Sequence, residues 1–473
     1  MFHSVSVPFW ILAILAVLAS IAFLDRIFAP SVRWFFRRRL NTAIDELNTH
    51  LDTQIQPFKL TRKQTLVDQL MYDPHIIRAA EEEAENEGTP LPVVMKKAER
   101  YAREIVPSFS PLAYFGIGTR ISKWLSRSIY RVRLGFIDDD KLREIDPNSS
   151  VIFVMNHRSN MDYILVTYLA STRTTLSYAV GEWARVFGLQ TLIRAMGAYF
   201  IRRSSGNELY RRVLARYVAM ATREGVTQAV FPEGGLSRDG KLNPPKLGLL
   251  SYMLSDFNPT AGKDIVFIPV GINYDRTLED RILTARKEAE YSGRDFKFKT
   301  TATLGFIWTL IRRRFSGQLY KMGYACVSFG NPISMKDWLK GNNVRYDRQS
   351  EKRRFETIQS LGDDLMKHVG NVIPALPVAL VATIFAERDF SEPMSELELK
   401  GAVSDLISEL ADEGHHVHIP RKDLDYSISA GLRMLLLRHA VTSEKGEFYL
   451  PNKQEKILLE YYANSIAHLR MKT

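Results

Sequence analysis

The chain has 473 residues, 45% apolar and 25% charged, enough to build more than one core, and this balance excludes a disordered or low-complexity chain. A net charge of +11 asks for an anionic partner, and the lone cysteine, Cys326, excludes an internal disulfide framework and fits a reducing compartment. No basic cluster interleaved with aromatics and no known module points to nucleic acid.

From Val7 to Leu24 the chain runs 18 residues without a charge, the lower limit for a helix that spans a bilayer. Arg33, Arg37, Arg38 and Arg39 follow it and no Lys or Arg precedes it, so the positive-inside rule predicts a single-pass protein of the cell membrane with the remainder on the cytoplasmic face. A basic leader region and a clear cleavage site are missing, so residues 1–30 read as an uncleaved anchor rather than a signal peptide; a buried or interfacial helix is the alternative. Residues 31–135 form a helical N-terminal region rich in Glu, Lys, Arg and Ala, whose acidic run Glu81-Glu82-Glu83 reads as a solvated helix face.

Residues 136–335 change character. Apolar, β-branched runs predict strands at 151–155, 198–201, 228–231, 265–272 and 324–329, separated by helix-compatible stretches such as 207–223 and 246–254. This alternation predicts an α/β fold with a mixed, largely parallel sheet flanked by helices, between helical N-terminal and C-terminal regions and behind an N-terminal membrane helix. Cys326 falls inside a strand and reads as a small buried hydrophobe. The segment 301–315, with Trp308 and a terminal Arg312-Arg313-Arg314, suits a membrane interface or a helix packed on the sheet. Residues 336–473 read as a mostly helical C-terminal domain, in which His415, His416 and His418 fall in a surface loop before Pro420 rather than in a metal site.

Four segments carry chemistry. His157 and Asp162 directly follow the strand 151–155, a general base with a carboxylate that fixes its tautomer. Ser159 is placed to cap a helix starting near Asn160, whose free N–H groups suit an anion or a developing oxyanion. Next, Gly197-Ala198-Tyr199-Phe200-Ile201 delivers Arg202 and Arg203 at the end of a strand, where ligands bind in α/β sheets and guanidinium forks grip phosphate. Third, Phe231-Pro232 runs into the turn Glu233-Gly234-Gly235, after which Ser237, Arg238 and Lys241 offer donors to an anion. The fourth, residues 266–271, is a hydrophobic strand whose internal Pro269 places it at an edge or beside a site.

In this order the four segments resemble the glycerophospholipid acyltransferase family, whose first motif is a His followed by an Asp after four residues, and among its branches they resemble the glycerol-3-phosphate acyltransferases. The phrases that carry the resemblance are Phe-Ile-Arg-Arg at 200–203, Glu-Gly-Gly before Ser-Arg at 233–238, Pro-Val-Gly-Ile-Asn-Tyr-Asp-Arg at 269–276 and Glu-Tyr-Tyr-Ala-Asn-Ser-Ile-Ala-His-Leu at 460–469; the likeness runs from about Tyr130 to the C-terminus. It implies a membrane-bound enzyme that moves a fatty acyl group from acyl-CoA or acyl carrier protein to the sn-1 hydroxyl of glycerol 3-phosphate, giving 1-acyl-glycerol 3-phosphate for phospholipid synthesis. His157 would be the base and Asp162 its partner. Arg202, Arg203 and Arg238 would hold the phosphate, with Lys241 in a lesser role. Glu233, Gly234 and Gly235 would shape the acceptor pocket and Pro269 would line it, with Arg158, Ser159 and Ser237 also among the substrate-binding residues. Such alcoholysis of a thioester needs a base and an oxyanion donor but no metal or other cofactor. One departure stands out: family members often carry an arginine directly before the Ser-Arg of the third motif, where this chain has Leu236. The competing readings are an acyltransferase for 1-acyl-glycerol 3-phosphate or dihydroxyacetone phosphate, and a membrane lipid-binding protein without turnover.

Overall fold

The apolar runs of the chain's middle assemble into one sheet. In the computed structural model, which describes residues 55–171, 174–181, 189–202, 206–291, 321–444 and 447–470, its strands are β1 (Arg131–Leu134), β2 (Ser150–Met155), β3 (Ser177–Val180), β4 (Tyr199–Phe200), β5 (Gln228–Val230), β6 (Ile265–Tyr274), β7 (Tyr324–Phe329) and β8 (Ile333–Ser334). The expected anchor at 1–30, the first part of the 31–135 region, Arg203 and the segment 301–315 lie outside the described residues. Among the described residues no helix is long and apolar enough to cross a membrane.

The strand order is β1-β7-β6-β2-β5-β3-β4, with β8 beside β6. Pairing is parallel except where β6 meets β7 and β8, so the sheet is mixed and largely parallel. Every residue of β2 and β6 is buried, as continuous apolar strands are when helices cover both faces.

Pro269 contradicts the edge-strand reading, because β6 lies between β2 and β7 in the interior. The physical reason is a change of partner. On one side β6 pairs with β8 through Val266 and Phe267 and with β7 from Val270 onward, leaving a gap at Pro269. The Pro269 carbonyl accepts from Gly330 N (2.7 Å) in the turn between those partners, so the missing N–H points where no ladder bond is needed.

The helices used below are α1 (Lys63–Met71), α2 (Pro74–Glu87), α3 (Leu91–Ile105), α4 (Thr119–Ile129), α5 (Met161–Ala170), α6 (Glu208–Arg223), α7 (Gly248–Leu254), α8 (Asp280–Tyr291), α9 (Glu351–Asn371), α10 (Pro377–Ala386), α11 (Glu396–Asp412), α12 (Leu424–Leu437) and α13 (Lys456–Ala463). One face of the sheet, through Ile152, Val154 and Phe267, shares a core with α6, α7 and α9 and with the layer α1 to α3. The other face, through Val151, Phe153, Met155 and Ile272, packs with α4 and α5. A third core joins α10 to α13 with a small sheet of β9 (Met394–Ser395), β10 (Val441–Glu444) and β11 (Phe448–Pro451).

The histidine segment is a surface loop, half-buried rather than fully solvated. The chain around Val417 bridges to Ala375, His418 N donates to Ala375 O (2.9 Å), and burial lowers the His418 imidazole to about 4. Among the described residues no cluster of His, Cys, Asp and Glu has the makings of a metal site.

Candidate active site

The site begins where β2 leaves the sheet. The Asn156 side chain takes the place of the next ladder rung, donating to Ile272 O (2.9 Å) and accepting from Ile272 N (2.8 Å), which fixes the exit of the chain beside the end of β6. His157 follows and is gripped through its backbone by the third segment: its N–H donates to Glu233 Oε1 (2.7 Å) and its carbonyl accepts from Ser237 N (3.0 Å). The other Glu233 oxygen accepts from Asn243 N (3.0 Å) and Nδ2 (2.8 Å), and burial holds this carboxyl above the usual range. Glu233 thus acts on the shape of the site by holding the main chain at His157.

The His157 side chain is 1% exposed and its Nδ1 lies 2.9 Å from Asp162 Oδ2. The same oxygen accepts from the N–H groups of Arg158 (2.7 Å) and Ser159 (3.0 Å), and Oδ1 accepts from the Tyr274 hydroxyl (2.7 Å). With three protein donors aimed at it, Asp162 offers the imidazole only lone pairs. Nδ1 therefore donates, and the basic lone pair belongs to Nε2. Nε2 is buried without a hydrogen-bond partner, while the ring lies 4.2 Å from the Phe231 ring and edge-on to Tyr163 at 5.5 Å.

The helix starts within a residue of expectation, and its anion site is closed. Helix α5 begins at Met161, whose N–H donates to Ser159 Oγ (3.1 Å). Ser159 Oγ in turn donates to Glu279 Oε2 (2.7 Å), and Asn160 donates to Glu279 Oε1 through N (3.1 Å) and Nδ2 (3.0 Å). The backbone N–H groups of Arg158, Ser159 and Asn160 thus already serve the protein's own carboxylates, Asp162 and Glu279, so the main chain of this turn has no donors left for a ligand.

Arg158 is 3% exposed. Its Nη1 donates to Gly240 O and its guanidinium sits 4.9 Å from the Tyr461 ring centre, but Nε and Nη2 are buried without partners. A buried cation with two idle donors is suited to an anion. The turn beside it needs glycine: Gly240 has φ +86°, and a Cβ there would come 1.9 Å from Tyr461 O.

The remaining predicted residues fall in three places. Ser237, Arg238 and Lys241 stay with His157 on the 236–241 loop, where the Ser237 hydroxyl donates to Lys241 O (2.7 Å) and burial, then Arg286, lower the Arg238 guanidinium. Gly234, at φ +69°, and Gly235 form its turn. Leu236, the departure from the family pattern, packs against the third core instead of facing an anion. On the outer side of the loop, Asp239 and Lys241 line a cleft of about 600 Å³ with Lys287, Asn464 and Arg470.

Two residues are not brought to His157. Arg202 stands just past β4, three strands from β2 and so roughly 14 Å away. It forms a two-pronged pair with Glu104, Nε to Oε1 at 2.9 Å and Nη2 to Oε2 at 2.5 Å. Pro269 lies against Gly330; its odd place in β6 puts it on the face opposite Tyr274 and Asp162. Sequence reasoning missed Asn156, Asn243, Tyr274 and Glu279. Tyr274 had one signal, its place inside the Pro-Val-Gly-Ile-Asn-Tyr-Asp-Arg phrase.

An acyltransferase family model matches residues 136–273, and a model of the glycerol-3-phosphate acyltransferase C-terminal region matches 307–472. A glycerol-3-phosphate acyltransferase of Pseudomonas entomophila is 29% identical over 433 residues, 89% of this chain and 50% of the relative. One from Aeromonas hydrophila is 28% identical over 423 residues, 87% of this chain and 50% of the relative. This chain spans about half the length of the curated relatives it matches. A crystal structure of the 1-acyl-sn-glycerophosphate acyltransferase of Thermotoga maritima covers 54% of this chain and 77% of its own, at 18% identity and a TM-score of 0.31. With both models matched in succession, and with homologues of one description along most of its length, the chain is similar to the acyltransferases and, among them, to the glycerol-3-phosphate acyltransferases.

Proposed function

We propose that this chain transfers a fatty acyl group from an acyl-CoA or acyl carrier protein thioester to the sn-1 hydroxyl of glycerol 3-phosphate. The observation that carries the reading is His157, held through Nδ1 by Asp162 with Nε2 left free. Nε2 takes the hydroxyl proton as the oxygen attacks the thioester carbonyl. Collapse of the tetrahedral intermediate breaks the C–S bond, and the imidazolium returns the proton to the departing thiolate, so ester and free thiol form with no net change at the histidine. Asp162, fixed by Tyr274 and two N–H groups, stabilises the imidazolium. Arg158 supplies the cation for the acceptor's phosphate, with Arg238 and Lys241 nearby on the loop; Arg202 joins only if it leaves Glu104. In this reading residues 1–30 anchor the chain in the cell membrane and the site faces the cytoplasm, where its product joins membrane lipid.

Leu236 keeps a second acceptor in view, because an apolar residue stands where relatives often place a cation. Labelled thioesters of both carriers, offered with glycerol 3-phosphate, dihydroxyacetone phosphate and 1-acyl-glycerol 3-phosphate, decide between them. Product is expected from glycerol 3-phosphate. Turnover confined to the lysophospholipid overturns the reading, and lipid binding without any turnover leaves only a lipid-binding protein.

A further inference from the structure

Helix α4 turns part of its apolar surface outward. Its buried side carries Ser122, Ser126 and Ile129 and packs on α5, the helix that bears Asp162, whereas Ile121 and Trp124 face outward. Ile117 is 54% exposed, Ile121 44% and Trp124 49%, at spacings of four and three that align them on one helix face. Leu112, 69% exposed, joins the same stripe because residues Leu112–Gly118 are wound as a π-helix, in which positions five apart come together. Beside the stripe stand exposed Arg120, Lys123 and Arg127. From residue 105 to 137 the chain has five Arg and Lys and no carboxylate.

An apolar stripe with a cationic flank fits an anionic bilayer surface, where the aliphatic and indole groups enter the boundary of headgroup and acyl chain and the cations stay with the phosphates. A second copy of this chain fits poorly. A two-fold contact would set the same cations against themselves. We propose that residues 112–127 are a membrane-docking surface, selective for anionic lipid and separate from the 1–30 anchor. Docking there would bring the helix layer under His157 and Asp162 to the surface that holds long acyl chains.

The test needs a local reporter on the full chain. Cys326 is buried, so an environment-sensitive thiol fluorophore is placed at Ile121→Cys and, as a control, at Asp412→Cys on the exposed end of α11. With phosphatidylglycerol-containing vesicles the probe at 121 is expected to shift to the blue and to be quenched by spin-labelled lipid, and the probe at 412 to do neither. Phosphatidylcholine vesicles should give much less. Arg120→Gln with Lys123→Gln should lower the partition measured at 121 about 25-fold, roughly fivefold for each cation lost. Protein that floats with vesicles while the probe at 121 stays in water overturns the proposal and leaves the 1–30 anchor reading standing. A shift that follows protein concentration without lipid overturns it in favour of a second copy. Neither readout depends on acyl transfer.

Discussion

In the proposed reaction His157 and Asp162 divide the work of one base between two residues whose surroundings differ. The imidazole rests on Phe231 with Nε2 idle, whereas both carboxylate oxygens of Asp162 are occupied. Replacing Asp162 by Asn would turn a donor toward the N–H groups of Arg158 and Ser159 and favour the wrong imidazole tautomer. A fall in kcat on the order of 10⁴ is expected, measured by initial rates at saturating acceptor. Tyr274→Phe removes a single bond to Asp162 and should lower kcat roughly tenfold, the equivalent of one hydrogen bond to a charged group. Because Tyr274 is a positioning residue, KM for the acceptor should hold steady and the acid limb of the pH–rate profile should move. An unchanged profile would show that Tyr274 only fills space. The pair itself was legible, because its two members lie within one strand-to-helix turn. Tyr274, which holds Asp162, showed only through its phrase, and Glu279, which holds Ser159 and Asn160, was hidden, since both come from more than a hundred positions away beside the parallel register of β2 and β6.

At the scale of elements, the third segment works as a clamp on the first. Glu233 and Ser237 hold the two sides of the His157 peptide, and the loop's far end closes on Tyr461 and Asn464 of the C-terminal helices, with Asn464 Nδ2 donating to Asp239 O (2.8 Å). Gly240 is the tight point. Gly240→Ala combines a positive φ with a collision against backbone, and about 3 kcal/mol of destabilisation is expected in urea unfolding, with loss of turnover because the loop must lift from Arg158. Strands were readable here from their β-branched runs, and the β2 and β7 ranges agree with expectation to within a residue. The place of β6 was not readable. A proline in a strand normally marks an edge, and only the switch from β7 to β8 beside it, a property of the assembled sheet, lets it sit inside.

For the whole molecule, the junction of the sheet with the C-terminal helices holds a buried acid. Asp275, at the end of β6, accepts from Tyr324 N (2.7 Å) and from Val378 N (3.2 Å) at the start of α10, and burial raises its carboxyl to about 6. A carboxyl that binds its proton more tightly when folded stabilises the fold at low pH and loses that contribution as pH rises through about 6. The difference from the ordinary value of 3.8 corresponds to roughly 3 kcal/mol. His418 and His468, both lowered to about 4 chiefly by burial, act with the opposite sign, so the comparison must be made against a variant. Asp275→Asn should unfold more easily overall yet lack this component, so the wild-type advantage in urea midpoint shrinks steadily between pH 4 and pH 6.5. A constant gap would place the titration elsewhere. The helical character of the C-terminal region was visible in its composition, but nothing local in that stretch says that it backs the loop at 236–241, because the contact depends on tertiary docking. The seat of Gly240 against Tyr461 also has a consequence for synthesis. A ribosome releases His157 long before it releases Tyr461, so the nascent chain carries the proposed base in an open, unfinished cradle. Turnover should switch on only when the tail emerges and docks.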